Sequence, residues 1–197
     1  MTFTIAEKTR ILKLKTNLSI AFNAKLNLVN DQAFTNSIRD NCIITGGCIS
    51  SLFHNEKIND IDLYAKTDPP MNSIKQYILD HLSDHIKQHS NYDLISHTTI
   101  PAISENAVTL HSDLQFIYLG IAEKCRSKFD FIHCQPWYDI KTQKLYISHA
   151  QYKSIEEKRL LINPNAEPVK FRRIDKYTKR GWTIERTLYD KAKNEIS

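Results

Sequence analysis

A glycine pair, followed at a short distance by two spaced acids, is the feature that most constrains how this chain can fold. An apolar run leads into Gly46-Gly47, and the pattern predicts a strand, a tight turn and then a short helix. Only glycine lets the backbone turn sharply while leaving room for a bulky ligand. Asp60 and Asp62 follow in the alternation typical of a strand, so both side chains leave the same face.

The chemistry of this unit favours a phosphorylated ligand and a metal ion. Ser50 or Ser51 falls in the first turn of the predicted helix, where free N–H groups and the helix dipole attract a phosphate. Two carboxylates on one face repel each other unless a cation lies between them, and hard oxygen ligands suit Mg²⁺ (or Mn²⁺) together with substrate phosphates. The glycine pair alone fits a plain turn, and the two acids alone fit a solvated strand face. Together they predict a phosphate turn beside a two-carboxylate metal site.

This unit resembles the signature of the nucleotidyltransferase superfamily that includes DNA polymerase β, poly(A) polymerases and CCA-adding enzymes. That signature is a Gly-Gly or Gly-Ser turn, a short helix and then Asp-x-Asp, matched here by Gly46-Gly47 and by Asp60 with Asp62. The resemblance implies that the two acids hold the metals that bridge the nucleoside triphosphate and the attacking hydroxyl. Ser50-Ser51 stands where bacterial members of the family have further Arg and Asp residues.

A second stretch is similar to the motif that ends the head domain of bacterial CCA-adding enzymes and poly(A) polymerases. Asp130-Phe131 and Tyr138-Asp139 fall at the distances of the family's Asp-Phe and Tyr-Asp pairs, and Phe129 replaces the family's Arg. The run around Asp130 is strand-like, and the simpler interpretation is an acid on the exposed face of an edge strand. The resemblance implies that Asp130 contacts the nucleotide sugar or completes the metal site.

Many members of the superfamily carry a third carboxylate on a further strand. By position the candidates here are Asp113 and Gln115, which lie in a β-rich region that predicts a hairpin. Gln115 cannot be a charged ligand, and Asp113 also fits a plain turn residue.

The last part of the chain is its most basic segment, and we predict a helix that begins near Pro168 and ends at Gly181. Basic residues recur in it at helical spacing together with Tyr177 and Trp182, a pattern that fits either a solvated face or a surface that grips phosphates and stacks a base. The segment resembles the neck motif of the same enzymes. That resemblance implies contacts to the base and phosphates by the residues at the matching places, Glu167, Lys170 and Arg173.

Composition sets the outer limits of the function. The chain has 197 residues, of which 41% are hydrophobic and 25% charged, as expected for a globular domain with an appendage. The formal net charge of +5 is compatible with a polyanionic partner. We find no apolar run long enough to span a bilayer and no secretory signal, and four cysteines without a C-x-x-C pair favour a reduced, cytoplasmic protein without a zinc site.

The sequence therefore predicts an α+β protein with a polymerase β-like nucleotidyltransferase head, a mixed sheet flanked by helices, over residues 1–148. Residues 149–197 are predicted to form a small helical neck. The expected activity is Mg²⁺- or Mn²⁺-dependent transfer of a nucleotide from an NTP, such as ATP, to a hydroxyl, with an RNA 3′ end favoured. The family continues beyond the neck with helical domains that hold tRNA, so we expect tRNA to be held poorly or the acceptor to differ. The alternatives are a non-catalytic nucleotide- or RNA-binding module, or an enzyme of a toxin–antitoxin or virus–host conflict that modifies protein or RNA.

Overall fold

The centre of the protein is a sheet of six strands. The computed structural model describes residues 2–29, 31–88, 106–109 and 114–194. The strands are β1 Cys42–Thr45, β2 Ile61–Ala65, β3 Ala107–Thr109, β4 Leu114–Ile117, β5 Trp137–Asp139 and β6 Lys144–Tyr146. Their order across the sheet is β3-β4-β2-β1-β5-β6, with β2 and β4 parallel and the other neighbours antiparallel. This mixed sheet with its flanking helices confirms the predicted α+β class.

Eight α-helices surround the sheet within the described residues. They are α1 Ile5–Leu26, α2 Gln32–Asn41, α3 Gly47–Phe53, α4 Asp68–Gln88, α5 Ala122–Ser127, α6 His149–Glu156, α7 Phe171–Thr178 and α8 Arg186–Asn194. Thr4 and Glu7 form a capping box at the start of α1, and the side chain of Asp31 caps α2 by accepting a hydrogen bond from the amide of Phe34.

Three apolar clusters hold the described elements together. The largest joins the buried faces of α1, α2 and α4 to the central strands, where Ile44 and Leu63 are fully buried. A second joins α7 and α8 to the chain around Phe131 and Cys134. A third, around Ile43, joins β1 and β2 to α5. Strands β1 and β2 are buried, but Asp62 on β2 is half-buried. Its carboxylate therefore lies at the edge of the apolar core.

The ends of three helices have local causes. Helix α4 begins at Asp68, because prolines are tolerated in a first turn whose N–H groups have no helical partner. Helix α6 ends at Glu156, since Lys158 takes a φ of 48°. Helix α7 is shorter than the helix predicted from near Pro168 to Gly181, since it runs from Phe171 to Thr178 and Lys170 is its extended N-cap residue.

The strand predicted over residues 128–134 is wrong. This stretch is a loop that ends in a 3-10 turn over Ile132–Cys134, and Phe131 makes one isolated bridge to Ile162. The carbonyl of Cys134 accepts hydrogen bonds from the Gly46 amide at 3.1 Å and from Thr45 Oγ1 at 3.2 Å, so it turns towards the end of β1 instead of a neighbouring strand.

Within the described part of the chain, none of the helices combines the length and the apolar character needed to cross a membrane.

Candidate functional site

The end of β1 and the middle of β2 meet at the glycine turn. Thr45 pairs with Asp62 across the antiparallel β1–β2 ladder, and Gly46 follows with φ 95° and ψ −159°. A Cβ atom on Gly46 would stand 2.9 Å from Oδ2 of Asp62, which is closer than real Cβ contacts. Glycine is therefore required here twice, by the backbone conformation and by the carboxylate beside it.

A cleft of about 330 Å³ opens at this turn. Its lining combines acidic, basic and aromatic side chains with the glycine turn itself. The residues are Gly46, Gly47, Cys48, Ser51, Asn59, Asp60, Asp62, Tyr64, Gln115, Ile117, Phe129, Cys134, Arg173, Lys176, Tyr177 and Arg180.

Asp60 and Asp62 both line this cleft, as their alternation predicts. The pKa of Asp62 is raised to about 7, chiefly by burial and further by the negative charge of Asp60, with Lys176 and Arg173 offsetting part of the shift. A carboxyl group whose ionised form is this unfavourable binds a cation readily, because the cation relieves the repulsion between the two acids.

Of the two candidates for the position of a third acid, the described residues include Gln115. Gln115 on β4 pairs in register with Asp62 on the parallel strand β2, and it lines the same cleft. Asp113, the other candidate, lies outside the described residues. The described residues contain no group of three or more His, Cys, Asp and Glu side chains that could hold a metal ion. The donor set is thus two carboxylates, which fits Mg²⁺ when substrate phosphates supply further oxygens.

Helix α7 and the residues just after it form the basic wall of the cleft. Arg173, Lys176 and Arg180 all line it. Their spacing of three and then four residues places them on one side of the chain. Arg180 donates to Oγ of Ser51 at 3.0 Å and to Oε2 of Glu56 at 3.3 Å, so its guanidinium is tied to the helix that follows the glycine turn.

Asp130 lies beside the cleft and not in its lining. Its Oδ2 accepts a hydrogen bond from Nε of Arg173 at 2.7 Å, and this half-exposed ion pair connects the loop after α5 to α7. Asp130 therefore contacts Arg173, a cation that lines the cleft. This ion pair fixes the orientation of the guanidinium of Arg173.

The other residues predicted to contact the nucleotide are divided between the cleft and the surface. Ser51 lines the cleft, whereas Ser50 is buried and its Oγ donates to the carbonyl of Gly47 at 2.9 Å. Glu167 and Lys170 are exposed and precede α7, so neither is among the described residues that line the cleft. Their assignment to the base remains a prediction.

Some aromatic side chains line the cleft, and others are buried outside its lining. Tyr64 and Phe129 meet edge-to-face with ring centroids 6.0 Å apart, and Ile117 lines the cleft with them. Trp182, which one of the two interpretations assigned to the stacking of a base, is 4% exposed and packs on His133 with the ring centroids 4.0 Å apart. Burial lowers the pKa of His133 to about 3, so this imidazole is neutral and belongs to the apolar cluster.

A family model described as Gabija anti-defense 2 family protein matches residues 17–158, well over half of the chain. The chain belongs to the Gabija anti-defense 2 family. A curated relative named Gabija anti-defense 2, from Bacillus phage SPbetaL7, is 29% identical over 150 residues, which are 75% of this chain and 35% of the relative. The chain therefore spans about a third of the length of that relative.

Solved structures of CCA-adding enzymes share the fold of this Gabija anti-defense 2 family member. An apo form II enzyme matches with a TM-score of 0.55 at 15% identity, over 94% of this chain and 47% of that one. A complex with ATP matches with a TM-score of 0.52 at 17% identity, over 83% and 40% of the two chains. The Thermotoga maritima enzyme complexed with tRNA gives 0.51 at 16% identity, over 87% and 45%. The predicted resemblance to polymerase β-type nucleotidyltransferases is thereby confirmed for the fold.

Sequence reasoning missed two cations of the site in this family member. Lys176 is one of the basic residues at helical spacing in the last segment but was not assigned to the nucleotide, and Arg180 was not singled out at all. The signal was present, because continuing the three- and four-residue steps from Arg173 reaches both positions. Gln115 and Phe129 were noted only as replacements of family residues, although both line the cleft.

Proposed function

We propose that this chain catalyses metal-dependent transfer of a nucleotide from an NTP to a hydroxyl acceptor, with release of pyrophosphate. The observation that carries this proposal is one cleft in which Asp60 and Asp62 adjoin the glycine turn and face a wall of cations. Repelling acids opposite Arg173 and Lys176 match the charge distribution of a metal–polyphosphate complex.

Asp60 and Asp62 would hold Mg²⁺ or Mn²⁺, and Gln115, which pairs in register with Asp62, lines the same cleft. The fit rests on the donor set, since Mg²⁺ is commonly bound by one or two carboxylates together with substrate phosphates. When bound, such a metal lowers the pKa of the attacking hydroxyl and neutralises charge on the departing pyrophosphate.

The phosphates are held by residues of this chain from two sides. The Gly46-Gly47 turn lets the polyphosphate approach the backbone closely, and Ser51 offers a hydroxyl from α3. Arg173 and Arg180 balance the phosphate charge from the opposite wall. Ser50 supports the turn through its hydrogen bond to Gly47, and Asp130 acts through Arg173 or through the nucleotide sugar.

The acceptor is proposed from the fold and from the family. Two of the similar solved structures are complexes of CCA-adding enzymes with tRNA and with ATP, which supports an NTP substrate and an RNA 3′ end as acceptor. The family name and the phage relative support a setting in the contest between a virus and its host. We assign the transfer chemistry to a head over residues 1–148 and the basic wall to a neck over 149–197, acting in the cytoplasm.

A second candidate is a nucleotide-binding module without transferase activity. One observation favours it specifically: Gln115 occupies the register position next to Asp62, where a carboxylate would strengthen the metal site. Such a module would bind nucleotides but leave no label on any acceptor.

The deciding experiment incubates the protein with each of the four α-labelled NTPs and Mg²⁺ or Mn²⁺, with total RNA or host lysate as acceptor. The Asp60→Asn/Asp62→Asn variant removes the carboxylates of the cleft. The matched control is Asp40→Asn/Asp190→Asn, which removes two exposed carboxylates outside it.

Transfer by the wild type and by the control, but not by the cleft variant, is the result that supports the proposal. Metal-dependent NTP binding without label on RNA, lysate protein or the chain itself would replace it with the binding module. Equal transfer by the wild type and the cleft variant would show that Asp60 and Asp62 do not carry the reaction.

A further inference from the structure

We propose that Tyr64, Ile117 and Phe129 form the subsite for the base of the bound nucleotide, and that this subsite holds the base by stacking on Phe129. The inference rests on the proposed function, because it assumes that an NTP occupies the cleft. It differs from the prediction that Glu167 and Lys170 address the base.

The sheet sets the distance between the acids and this apolar end. Asp62 pairs with Gln115, and two residues further along the same parallel strands Tyr64 pairs with Ile117. Side chains two residues apart leave the same face at a spacing of roughly 7 Å. The apolar pair therefore begins about one ribose away from the carboxylates that would face the α-phosphate.

Another part of the cleft lining is polar, and this sets the direction of the nucleotide. Arg180 and Ser51 both line the cleft, and the guanidinium of Arg180 donates to Oγ of Ser51 at 3.0 Å. Phosphates belong at the end that supplies cations and hydroxyls, since burying a charge without partners is costly. The base is then left for the end formed by Tyr64 and Phe129.

Phe129 is held in place on several sides. Its ring meets Tyr64 edge-to-face, and it packs against both the cluster around Ile43 and the one that joins α7 to the loop. Its carbonyl accepts a hydrogen bond from Nδ2 of Asn163 at 2.9 Å, and the same amide binds the carbonyl of Ser127 at 2.7 Å. A ring fixed in this way loses little freedom when a base stacks on it.

The two residues that the family resemblance placed at the base, Glu167 and Lys170, lie outside the cleft lining. Both are exposed, and Asp130 is paired with Arg173. Stacking alone tolerates every base, because each has a π-face. We therefore expect purine nucleotides, with their larger rings, to bind more tightly than pyrimidine nucleotides, and ATP and GTP to differ little.

The test compares ATP with inorganic tripolyphosphate, which has the same phosphates but no base. Dissociation constants are measured by calorimetry with Mg²⁺ for wild type, Phe129→Leu, Phe129→Tyr and Glu167→Gln/Lys170→Met. Leu is chosen in place of Ala because it removes the aromatic ring but preserves the apolar packing of the loop. Tyr is the matched control because it keeps the ring.

We expect Phe129→Leu to raise the dissociation constant of ATP about tenfold, within the range measured when stacking residues are removed. The dissociation constant of tripolyphosphate should change by less than about twofold. Phe129→Tyr and the Glu167/Lys170 variant should match the wild type for both ligands. Loss of ATP affinity in the Glu167/Lys170 variant, or an equal loss of ATP and tripolyphosphate in Phe129→Leu, would overturn the inference while leaving the proposed transfer intact. Failure of the wild type to bind either ligand with Mg²⁺ would overturn both.

Discussion

Gly46 and Asp62 lie so close together that a single added carbon on the glycine would stand 2.9 Å from the carboxylate oxygen. The two residues are sixteen positions apart in the chain, and the antiparallel pairing of β1 with β2 brings them together. The turn that would admit phosphates and the acid that would hold a metal are therefore parts of one contact, and each constrains the other.

The first prediction concerns this contact. Gly46→Ala should lower the free energy of unfolding by about 1–3 kcal/mol, because its backbone lies in a region that only glycine adopts readily. It should also abolish Mg²⁺-dependent NTP binding, since the new methyl displaces Asp62. Denaturant unfolding and a binding titration measure the two effects.

Gly181→Ala is the matched control for this variant. Gly181 also has a positive φ, of 82°, but nothing lies within 4 Å of the Cβ position. We expect a similar loss of stability of about 1–2 kcal/mol and unchanged nucleotide binding. If Gly181→Ala loses binding to the same extent, backbone strain and not contact with Asp62 is responsible.

The second prediction concerns pH. The pKa of Asp62 is about 7 in the folded protein and about 3.9 in an unfolded chain, so folding favours its protonated form. Its contribution to stability is complete below about pH 4 and is lost as the pH rises through 7. Asp62→Asn should therefore be more stable than wild type by roughly 1–3 kcal/mol at pH 8, with little difference at pH 4.

Unfolding curves across this pH range without metal provide the measurement for Asp62. Protons and Mg²⁺ compete for the same carboxylate, so the Mg²⁺ affinity of the wild type should fall as the pH drops below 7. A constant stability difference between Asp62→Asn and wild type from pH 4 to 8 would contradict this assignment.

The third prediction separates two roles for Asp130. If Asp130 orients Arg173, Asp130→Asn should weaken tripolyphosphate binding about two- to fivefold, as expected for a partly exposed ion pair, and keep Mn²⁺ affinity within twofold. Asp175→Asn is the control, because Asp175 pairs with Lys179 at 2.7 Å on the same helix. A loss of Mn²⁺ affinity of tenfold or more in Asp130→Asn would instead identify Asp130 as a metal ligand.

The fourth prediction concerns the position beside Asp62 on the parallel strand. Gln115→Glu adds a carboxylate of nearly the same shape to the cleft lining, and we expect Mn²⁺ affinity at pH 8 to rise roughly tenfold. The added charge should also make the metal-free protein less stable at that pH, because a third acid repels the other two. Gln143→Glu, in the turn between β5 and β6, adds the same charge on the surface and should change neither quantity. Unchanged Mn²⁺ affinity in Gln115→Glu would place the metal away from β4.

Local patterns predicted the elements that flank the glycine turn because their causes are local. The apolar run predicted β1, and the glycine pair marked its end and the start of the short helix α3. The run around Asp130 misled the same reasoning. Its alternation of apolar residues resembles a strand, but the Cys134 carbonyl is drawn to the amide of Gly46 by a contact that no local pattern encodes.

The residues of the candidate site also fall into those that local sequence predicts and those that depend on tertiary contacts. The sequence by itself determined that Gly46, Asp60 and Asp62 share one cleft, because a tight turn and a two-residue alternation leave the backbone little choice. Only the tertiary structure decided which cations face those acids. Ser51 and Arg180 are 129 residues apart when they form their hydrogen bond. Such pairings follow from the packing of whole elements around the core and not from the spacing of neighbouring residues.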